Sequence, residues 1–234
     1  MSENTVCAIL GAGPGNGAAC ARRFAAAGYT TALCARDVAR LDALAADIDG
    51  ARPFSCDITD PASLASALGA IRTELGPITT LIFNAGASHW GGIDDLDDTA
   101  LEQDFTLHAL GLFRAVQAVL PDMRAAGHGT IIVIGAGAAL RGRPASISVA
   151  AAKAAQRSIA QSLARQLGPE NIHVSYLVLD GIVDLDRAKH RFPDKPDAFF
   201  LTAAGVADAA FLLSQQDRQA WSFELDLRPF GETW

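Results

Sequence analysis

A glycine-rich turn near the start of the chain has the composition of an anion-binding site. Residues 11–17 are Gly-Ala-Gly-Pro-Gly-Asn-Gly, between an apolar run at 5–10 and an alanine-rich segment at 18–27. The run has the length and composition of a buried strand, and the segment is predicted to be a helix. Unpaired amide groups and the positive end of the helix dipole would then attract a pyrophosphate.

The spacing of the glycines predicts close contact between backbone and phosphate. Gly11, Gly15 and Gly17 fit the pattern GxxxGxG, whereas Asn16 stands where the commoner GxGxxG has its last glycine. A Cβ atom in this turn would hold a phosphate away from the backbone. The predicted phosphate-binding residues are Gly11, Gly13, Gly15, Asn16 and Gly17.

Arg36 follows the second predicted strand, where dinucleotide-binding folds usually carry the residue that contacts the adenosine ribose. An acidic residue there binds the 2′-hydroxyl of NAD, but a guanidinium suits a 2′-phosphate because it makes bidentate, charge-assisted bonds. Asp37 is an alternative acidic group; we interpret it as a helix N-cap because an apolar helical pattern begins at Val38. NADP(H) is therefore predicted in preference to NAD(H).

Polar and small residues also follow the third and fourth predicted strands. Asp57 and Ile58 come after the third strand, and Asn84-Ala85-Gly86 follows the fourth. Ligands of parallel α/β sheets bind beyond the carboxyl ends of the strands. We therefore expect these five residues to contact the adenine and ribose of the cofactor.

Strand and helix patterns alternate along nearly the whole chain. This order predicts an α/β, Rossmann-type fold in one domain over residues 1–234, with a doubly wound, mostly parallel seven-stranded sheet and helices on both faces. Asp60-Pro61 is a helix start signal, and residues 99–102, Thr-Ala-Leu-Glu, have the pattern of a capping box for a helix that reaches Ala126. The predicted strands are 5–10, 30–34, 53–56, 79–83, 130–134, 172–179 and an edge strand at 221–227.

Composition excludes several classes of function. The 234 residues carry a net charge of −7, with no basic run or stripe, which argues against nucleic-acid binding. The sequence has no apolar stretch of about 18 residues and no signal peptide, so we expect a cytoplasmic protein without a membrane anchor. The four cysteines lack CxxC spacing and are interpreted as buried, reduced thiols.

The chain resembles the short-chain dehydrogenases/reductases of the single-domain type over nearly its full length. The resemblance rests on the glycine turn, Asp57, Asn84-Ala85-Gly86 and Lys153 in a long helix predicted at 145–167. It implies that Asp57 binds the adenine amino group, that Asn84 steadies the sheet beside the cofactor and that Lys153 holds the nicotinamide ribose. It also implies a cofactor loop from Gly181 to Val183, altered because Asp180 stands where the family has proline.

The chain departs from the family at the residues that carry out the reaction. The family's tyrosine, four residues before the lysine, is Val149 here, and its serine is Ala136. Its asparagine, on the preceding helix, is His108. Valine cannot donate a proton and alanine cannot bind a carbonyl oxygen. Lys153 is therefore the remaining member of the set, and the chain is identified as a divergent member.

Several groups are candidates for a substitute proton donor, and the sequence does not choose among them. His108 lies on an apolar helix stripe but has a suitable pKa class for proton transfer. Ser146 is seven residues before Lys153, on the same predicted helix face. Ser88 and His89 follow the Asn-Ala-Gly motif, and a water molecule held by Lys153 is a further candidate. We predict Lys153 and His108 as the catalytic pair.

Two functions remain open at this stage. The first is an NADP(H)-dependent oxidoreductase that acts on a carbonyl or alcohol; the second is a non-catalytic NADP(H)-binding sensor or scaffold. The resemblance implies a small-molecule substrate for the first, a homodimer or homotetramer, and a substrate lid at residues 184–202. Asp94, Asp95, Asp97 and Asp98 are interpreted as helix caps and dipole partners, and no metal site is predicted.

Overall fold

The computed structural model describes residues 5–231, which form two parallel sheets and eight α-helices. The larger sheet has seven strands in the order β3-β2-β1-β4-β5-β6-β9, and the smaller one pairs β7 with β8. Every strand pair is parallel. The strands are β1 (Val6–Leu10), β2 (Thr30–Ala35), β3 (Ala51–Ser55), β4 (Ile78–Phe83), β5 (Gly129–Ile134), β6 (Ile172–Leu179), β7 (Ile182–Val183), β8 (Phe200–Leu201) and β9 (Glu224–Leu227).

Helices cover both faces of the larger sheet. They are α1 (Asn16–Ala25), α2 (Val38–Ala46), α3 (Pro61–Glu74), α4 (Asp98–Phe105), α5 (Gly111–Ala126), α6 (Ile147–Leu167), α7 (Asp186–Arg191) and α8 (Ala203–Ser214). Alternate residues of each strand enter opposite cores: Val6 and Ala8 pack with α3, α5 and α6, whereas Cys7 and Ile9 pack with α1, α2 and α8. The predicted doubly wound Rossmann-type fold is confirmed.

The helix starts show which local signals were sufficient. Asp37 accepts a hydrogen bond from the amide of Arg40, and Asp60 accepts one from Ala62, so both predicted caps are confirmed. The capping box predicted at residues 99–102 is wrong. Helix α4 begins two residues earlier, and Asp97 is its N-cap, because its Oδ1 accepts from the backbone amide of Ala100 at 2.9 Å. Asp97 thus has the capping role that was expected of this acidic group.

The helix predicted to run unbroken to Ala126 contains one π-helical turn, at Thr106–Leu110, between α4 and α5. Such turns add a residue to the helical repeat and often occur at functional sites. Here the turn carries His108 and leaves its imidazole fully buried. His108 is buried with Leu112 and Val116, as the predicted stripe requires, whereas Leu101, at the start of that stripe, is 40% exposed.

The segment predicted as a lid is held at both ends by the smaller sheet. Ile182 pairs with Phe200 and Val183 with Leu201, so the two ends of the segment 184–199 lie side by side. Between them lie α7 and a short 3-10 turn at Asp197–Phe199. The side chain of Lys189 contacts the carboxylates of Asp184 and Asp197, at 3.3 and 3.0 Å.

Two further sequence predictions concern the core and the edge of the sheet. Cys7, Cys20, Cys34 and Cys56 are buried free thiols, as expected, and burial raises their pKa values. The last edge strand is shorter than predicted because Trp221 stacks on His173 instead, with ring centroids 4.6 Å apart. Within residues 5–231, no helix combines the length and the hydrophobicity that a bilayer span requires.

Candidate functional site

The glycine turn is fixed against the end of β4. Gly11 has a φ of +89°, and a Cβ atom there would lie 2.4 Å from the carbonyl oxygen of Asn84. The Asn84 side chain donates to the carbonyl of Gly11 at 2.8 Å, and the Asn84 backbone amide donates to the carbonyl of Leu10. Only glycine combines this backbone angle with this approach. Asn84 therefore joins two strand ends at the predicted cofactor edge.

The first turn of α1 is open to an anion. Gly13 has no heavy atom within 4 Å of an added Cβ, whereas a Cβ on Gly17 would lie 2.5 Å from the carbonyl of Gly11. No side chain among residues 5–231 caps α1, and its first turn has no acidic residue. The Oδ1 of Asn16 is buried without a hydrogen-bond partner in the described chain. This cradle fits a pyrophosphate, because helix N-termini bind anions through free amides.

Charged residues continue the cradle beyond β2 and β3, which are neighbouring strands. Arg36 is exposed at the end of β2, and Asp57 is half-buried just after β3. The Oδ1 of Asp57 accepts hydrogen bonds from the amide and hydroxyl of Thr59, at 2.9 and 2.7 Å. These bonds, with the charge of Arg36, lower the pKa of Asp57. The sheet therefore brings the predicted phosphate and adenine groups to one edge, with Ile58 and Ala85 buried beside them and Gly86 exposed.

Lys153 lies inside the protein between α6 and the end of β5. Its Nζ donates to the carbonyl of Ile134 at 3.2 Å and to Oε1 of Gln156 at 3.1 Å. Burial lowers the pKa of Lys153 to about 7, and the charge of Asp104 acts in the opposite direction. An ammonium group with this pKa exchanges protons near neutral pH.

The positions next to Lys153 carry hydrocarbon. Val149 lies one turn before it on α6 and is 3% exposed, and Ala136 follows the end of β5 in extended conformation. Neither side chain has a hydrogen-bonding group. Any proton that reaches a substrate at this edge of the sheet must come from another residue or from water.

His108 is held as a neutral ring. Its Nε2 lies 2.9 Å from the carbonyl oxygen of Ala87 and 2.9 Å from the hydroxyl of Ser88. A carbonyl accepts only, so Nε2 carries the hydrogen. Burial, together with the charge of Lys153, lowers the pKa of His108 to about 3. Nδ1 is buried without a partner among residues 5–231. The role of His108 in proton transfer stays a prediction.

His89 has a different environment from His108. Its Nδ1 lies 3.0 Å from Oδ1 of Asp104, and its backbone amide donates to the same carboxylate. The hydroxyl of Ser148 donates to Oδ2 of Asp104 at 2.7 Å. Asp104 is buried, while the His89 side chain is 46% exposed. The two residues form a carboxylate–imidazole pair at the protein surface.

Sequence reasoning missed Gln156 and Tyr176. The carboxamide of Gln156 contacts Lys153 and donates to the carbonyl of His108 at 3.3 Å. The hydroxyl of Tyr176, on β6, reaches Oε1 of Gln156 at 3.4 Å, and burial raises the pKa of this phenol. The i, i+3 spacing of Lys153 and Gln156 on one helix was a usable signal. The contact of Tyr176 with Gln156 depends on packing between β6 and α6, so no sequence signal pointed to it.

The two serine candidates are engaged by their own loops. Ser146 immediately precedes α6, so it does not lie on a helix face with Lys153 as predicted. Its Oγ accepts from the amide of Arg143 at 2.8 Å and donates to the carbonyl of the same residue. The hydroxyl of Ser88 donates to the carbonyl of Ala87 at 2.7 Å. Among residues 5–231, no three His, Cys, Asp or Glu side chains meet in a way that would hold a metal ion.

Asp180 fixes the loops that border the site. Its carboxylate binds Arg141 at 2.7 Å and Arg228 at 2.8 Å, and it packs on Gly137, where a Cβ would lie 2.1 Å from Oδ1. Its amide donates to the carbonyl of Leu227 at 2.9 Å. The loop from Gly181 to Val183 follows directly. It leads to Leu185, whose Cδ2 would lie 2.7 Å from a Cβ on Gly15, so the lid segment begins against the glycine turn.

A doubly wound parallel sheet with an open glycine turn at its first helix defines a Rossmann-type dinucleotide-binding fold. The short chain dehydrogenase family matches residues 5–196, which is most of the chain. The chain therefore belongs to the short-chain dehydrogenase family.

Similar proteins include two 2-(S)-hydroxypropyl-CoM dehydrogenases, one of which is described as inactive. The inactive 2-(S)-hydroxypropyl-CoM dehydrogenase 2 of Xanthobacter autotrophicus is 29% identical over 209 residues, covering 83% of this chain and 91% of the relative. The 2-(S)-hydroxypropyl-CoM dehydrogenase 3 of the same organism is 29% identical over 232 residues, covering 92% and 91%. The crystal structure of a short-chain dehydrogenase from Rhodopseudomonas palustris is 32% identical, with a TM-score of 0.83 over 97% of this chain and 100% of that one.

Proposed function

We propose that the chain is an NADP(H)-dependent oxidoreductase that acts on a carbonyl or alcohol substrate with an atypical proton donor. The observation that carries the proposal is the exposed guanidinium of Arg36 beside the open glycine turn. Its charge lowers the pKa of Asp57. A guanidinium at this position binds a 2′-phosphate in bidentate geometry. Membership of a dehydrogenase family supports the reaction type.

The described residues fit the proposed cofactor from one end to the other. The glycine turn, including Gly15, and the start of α1 would hold the pyrophosphate. Arg36 would hold the 2′-phosphate, and Asp57 with its neighbours the adenosine. Lys153 and the loop from Gly181 to Val183 would border the nicotinamide ribose. When bound, the cofactor supplies or accepts the hydride.

Titration of cofactor fluorescence tests this proposal directly. We expect saturable binding of NADPH, and binding of NADH that is weaker by about 10- to 100-fold, the value of a charge-assisted bond to one phosphate. Arg36→Leu should remove the difference in affinity between NADPH and NADH. Arg40→Leu, in the first turn of α2, should keep that difference. Absence of saturable binding for both nucleotides would overturn the proposal.

A second function, a non-catalytic NADP(H)-binding sensor or scaffold, is favoured by Val149 and Ala136. A positioned general acid contributes roughly 10²–10⁴ to a rate, and one donor to a developing oxyanion about 10²–10³. Hydrocarbon at both positions removes these contributions unless another group replaces them. The inactive relative from Xanthobacter supports this alternative. NADPH binding without consumption of NADPH on any ketone or aldehyde would favour it.

We also propose a homodimer or homotetramer. Three large apolar side chains on the helical segment from α4 to α5 are 40–45% exposed, namely Leu101, Leu110 and Phe113. Large exposed apolar side chains on one helical segment support association. Light scattering after gel filtration should give two or four chains, and Phe113→Glu should lower the mass. A monomer at micromolar concentration would contradict the assembly.

The proposed location is the cytoplasm. Four free, buried thiols support a reducing compartment, because disulfides are rare there. Cell fractionation followed by immunodetection tests this location, and recovery of the chain in a secreted or membrane fraction would contradict it.

A further inference from the structure

We propose that His89, oriented by Asp104, is the residue that transfers the proton between substrate oxygen and solvent. This inference rests on the proposed oxidoreductase function and assigns its missing donor. It makes His89 a catalytic residue and Asp104 a positioning residue.

The first support is the hydrogen bonding of the Asp104 carboxylate. It accepts from three groups: the His89 amide at 3.1 Å, His89 Nδ1 at 3.0 Å and Ser148 Oγ at 2.7 Å. An ionised carboxylate accepts only, so Nδ1 of the ring must carry a hydrogen. Nε2 is then the nitrogen that gains and loses the proton, and Asp104 stabilises the imidazolium when it forms. Catalytic carboxylate–histidine pairs work by the same division of roles.

The second support is the location of the pair. His89 follows β4 in the same loop as Asn84 and Gly86, at the carboxyl edge of the sheet where ligands of this fold bind. The amide of Gly91 donates to the carbonyl of Ala145 at 3.0 Å, which joins this loop to the residues that precede α6. Ser148, which binds Asp104, directly precedes Val149. The imidazole is therefore tied to the helix turn from which the family's donor is missing.

The third support is the contrast between the two histidines of this region. Nε2 of His108 is bound to the carbonyl of Ala87, and its side chain is fully buried. The His89 side chain is 46% exposed, and Nδ1 is the ring nitrogen that the protein engages. A proton donor must both reach the substrate and be recharged from solvent. The exposed His89 ring can be recharged from solvent, and its loop lies at the carboxyl edge of the sheet where the substrate would bind, whereas the His108 ring is closed to solvent.

The proton transfer balances with the hydride that the cofactor supplies. In reduction, the carbonyl carbon receives the hydride and the carbonyl π pair moves to oxygen. The Nε2–H bond of the His89 imidazolium breaks as the O–H bond of the alcohol forms. The neutral ring then takes a proton from solvent. In oxidation, neutral Nε2 accepts the hydroxyl proton and releases it to solvent.

The first test reads the ring itself, without turnover. Nitrogen-15 NMR of histidine-labelled protein should show neutral His89 with its hydrogen on Nδ1. His89→Gln assigns the signal, and Asp104→Asn should abolish the preference for this tautomer, since an amide offers both a donor and an acceptor. Wild-type protein with the hydrogen on Nε2 would overturn the proposal.

The second test measures NADPH consumption on a panel of ketones and aldehydes, with NADPH affinity measured in parallel. We expect His89→Gln to lower kcat by roughly 10²–10⁴-fold, the range for a general acid, with KM and NADPH affinity nearly unchanged. His89→Ala should regain activity with added imidazole. His128→Gln is the matched control, since this exposed histidine precedes β5 at the opposite edge of the sheet.

The outcomes separate the two proposals. Undiminished kcat in His89→Gln overturns the assignment of His89 and leaves the oxidoreductase function standing. Wild-type protein that binds NADPH but reduces none of the panel overturns the assignment as well and favours the sensor. Failure to bind NADPH overturns the proposed function itself, while the NMR result still reports the state of the His89 ring.

Discussion

The ammonium nitrogen of Lys153 lies 3.1 Å from Oε1 of Gln156, and both side chains are buried. The same carboxamide donates to the carbonyl of His108 and lies 3.4 Å from the hydroxyl of Tyr176. Lys153 is thus held in a polar cluster between the sheet and α6. Without these partners a buried ammonium would be far more costly.

The burial of Lys153 makes protein stability depend on pH. Below about pH 7 the amine is charged in the folded and unfolded states, and the folded state bears the desolvation cost. Between about pH 7 and about pH 10.5 the unfolded chain binds more protons, so the free energy of unfolding rises with pH, by up to about 1.4 kcal/mol per unit. Urea unfolding over a pH series should show that the unfolding free energy of Lys153→Met rises less steeply with pH than that of wild type. Lys195→Met, at an exposed site, should keep the wild-type slope; equal slopes in all three proteins would contradict the assignment.

The charge of Arg36 also predicts how NADH binding depends on pH. Because its charge lowers the pKa of Asp57, Arg36→Leu should allow Asp57 to be protonated at a higher pH. NADH binding should then weaken on acidification at a higher pH in Arg36→Leu than in wild type. Fluorescence titrations over a pH series would measure this. Superimposable NADH profiles would show that Arg36 does not act on Asp57.

Several local features were predictable because they depend on neighbouring residues alone. The caps at Asp37 and Asp60 and the glycine turn need only a few consecutive residues, and the alternation of elements determined the sheet type. The start of α4 was placed at Thr99 instead of Asp97 because Thr99 and Glu102 gave an equally good local pattern. Only the packed helix distinguishes these two starts.

The candidate site was less predictable because its contacts join distant parts of the chain. Asp104 meets Ser148 across 44 residues, and Tyr176 meets Gln156 across 20. The π turn at Thr106–Leu110 also interrupts the 3.6-residue period, and the stripe predicted across it holds for His108 and Leu112 but not for the exposed Leu101. Sequence predicted the strand ends that border the site, and packing determined which side chains meet there.

Two glycines of the turn should separate packing from ligand binding. Gly17→Ala places a Cβ 2.5 Å from the carbonyl of Gly11, so α1 must shift, and we expect a loss of about 1–3 kcal/mol in stability. Gly13→Ala meets open space and should unfold like wild type but bind NADPH more weakly. Thermal unfolding and fluorescence titration measure the two effects. Equal NADPH affinity in Gly13→Ala would place the pyrophosphate elsewhere.

Asp180 should not tolerate the proline that the family carries at this position. Asp180→Asn keeps the amide bond to Leu227 but weakens the ion pairs with Arg141 and Arg228. Asp180→Pro also loses the amide donor, which adds about 1 kcal/mol or more to the loss of stability. Chemical unfolding of the two variants gives the comparison. Greater stability of Asp180→Pro than of Asp180→Asn would contradict the role of the amide.

His108 should make the protein sensitive to acid. Its pKa is about 3 in the folded state, against an ordinary value of 6.5, because burial disfavours the charged ring. Between these values the unfolded chain binds more protons, so acidification lowers the free energy of unfolding, by up to about 1.4 kcal/mol per pH unit. His108→Asn removes the titrating ring, so its stability should fall less steeply from about pH 6.5 to about pH 4.5. It should be less stable than wild type at neutral pH if its amide cannot reach the carbonyl of Ala87. His128→Asn, at an exposed position, is the control. Parallel acid profiles for wild type and His108→Asn would show that the ring is not held neutral by burial.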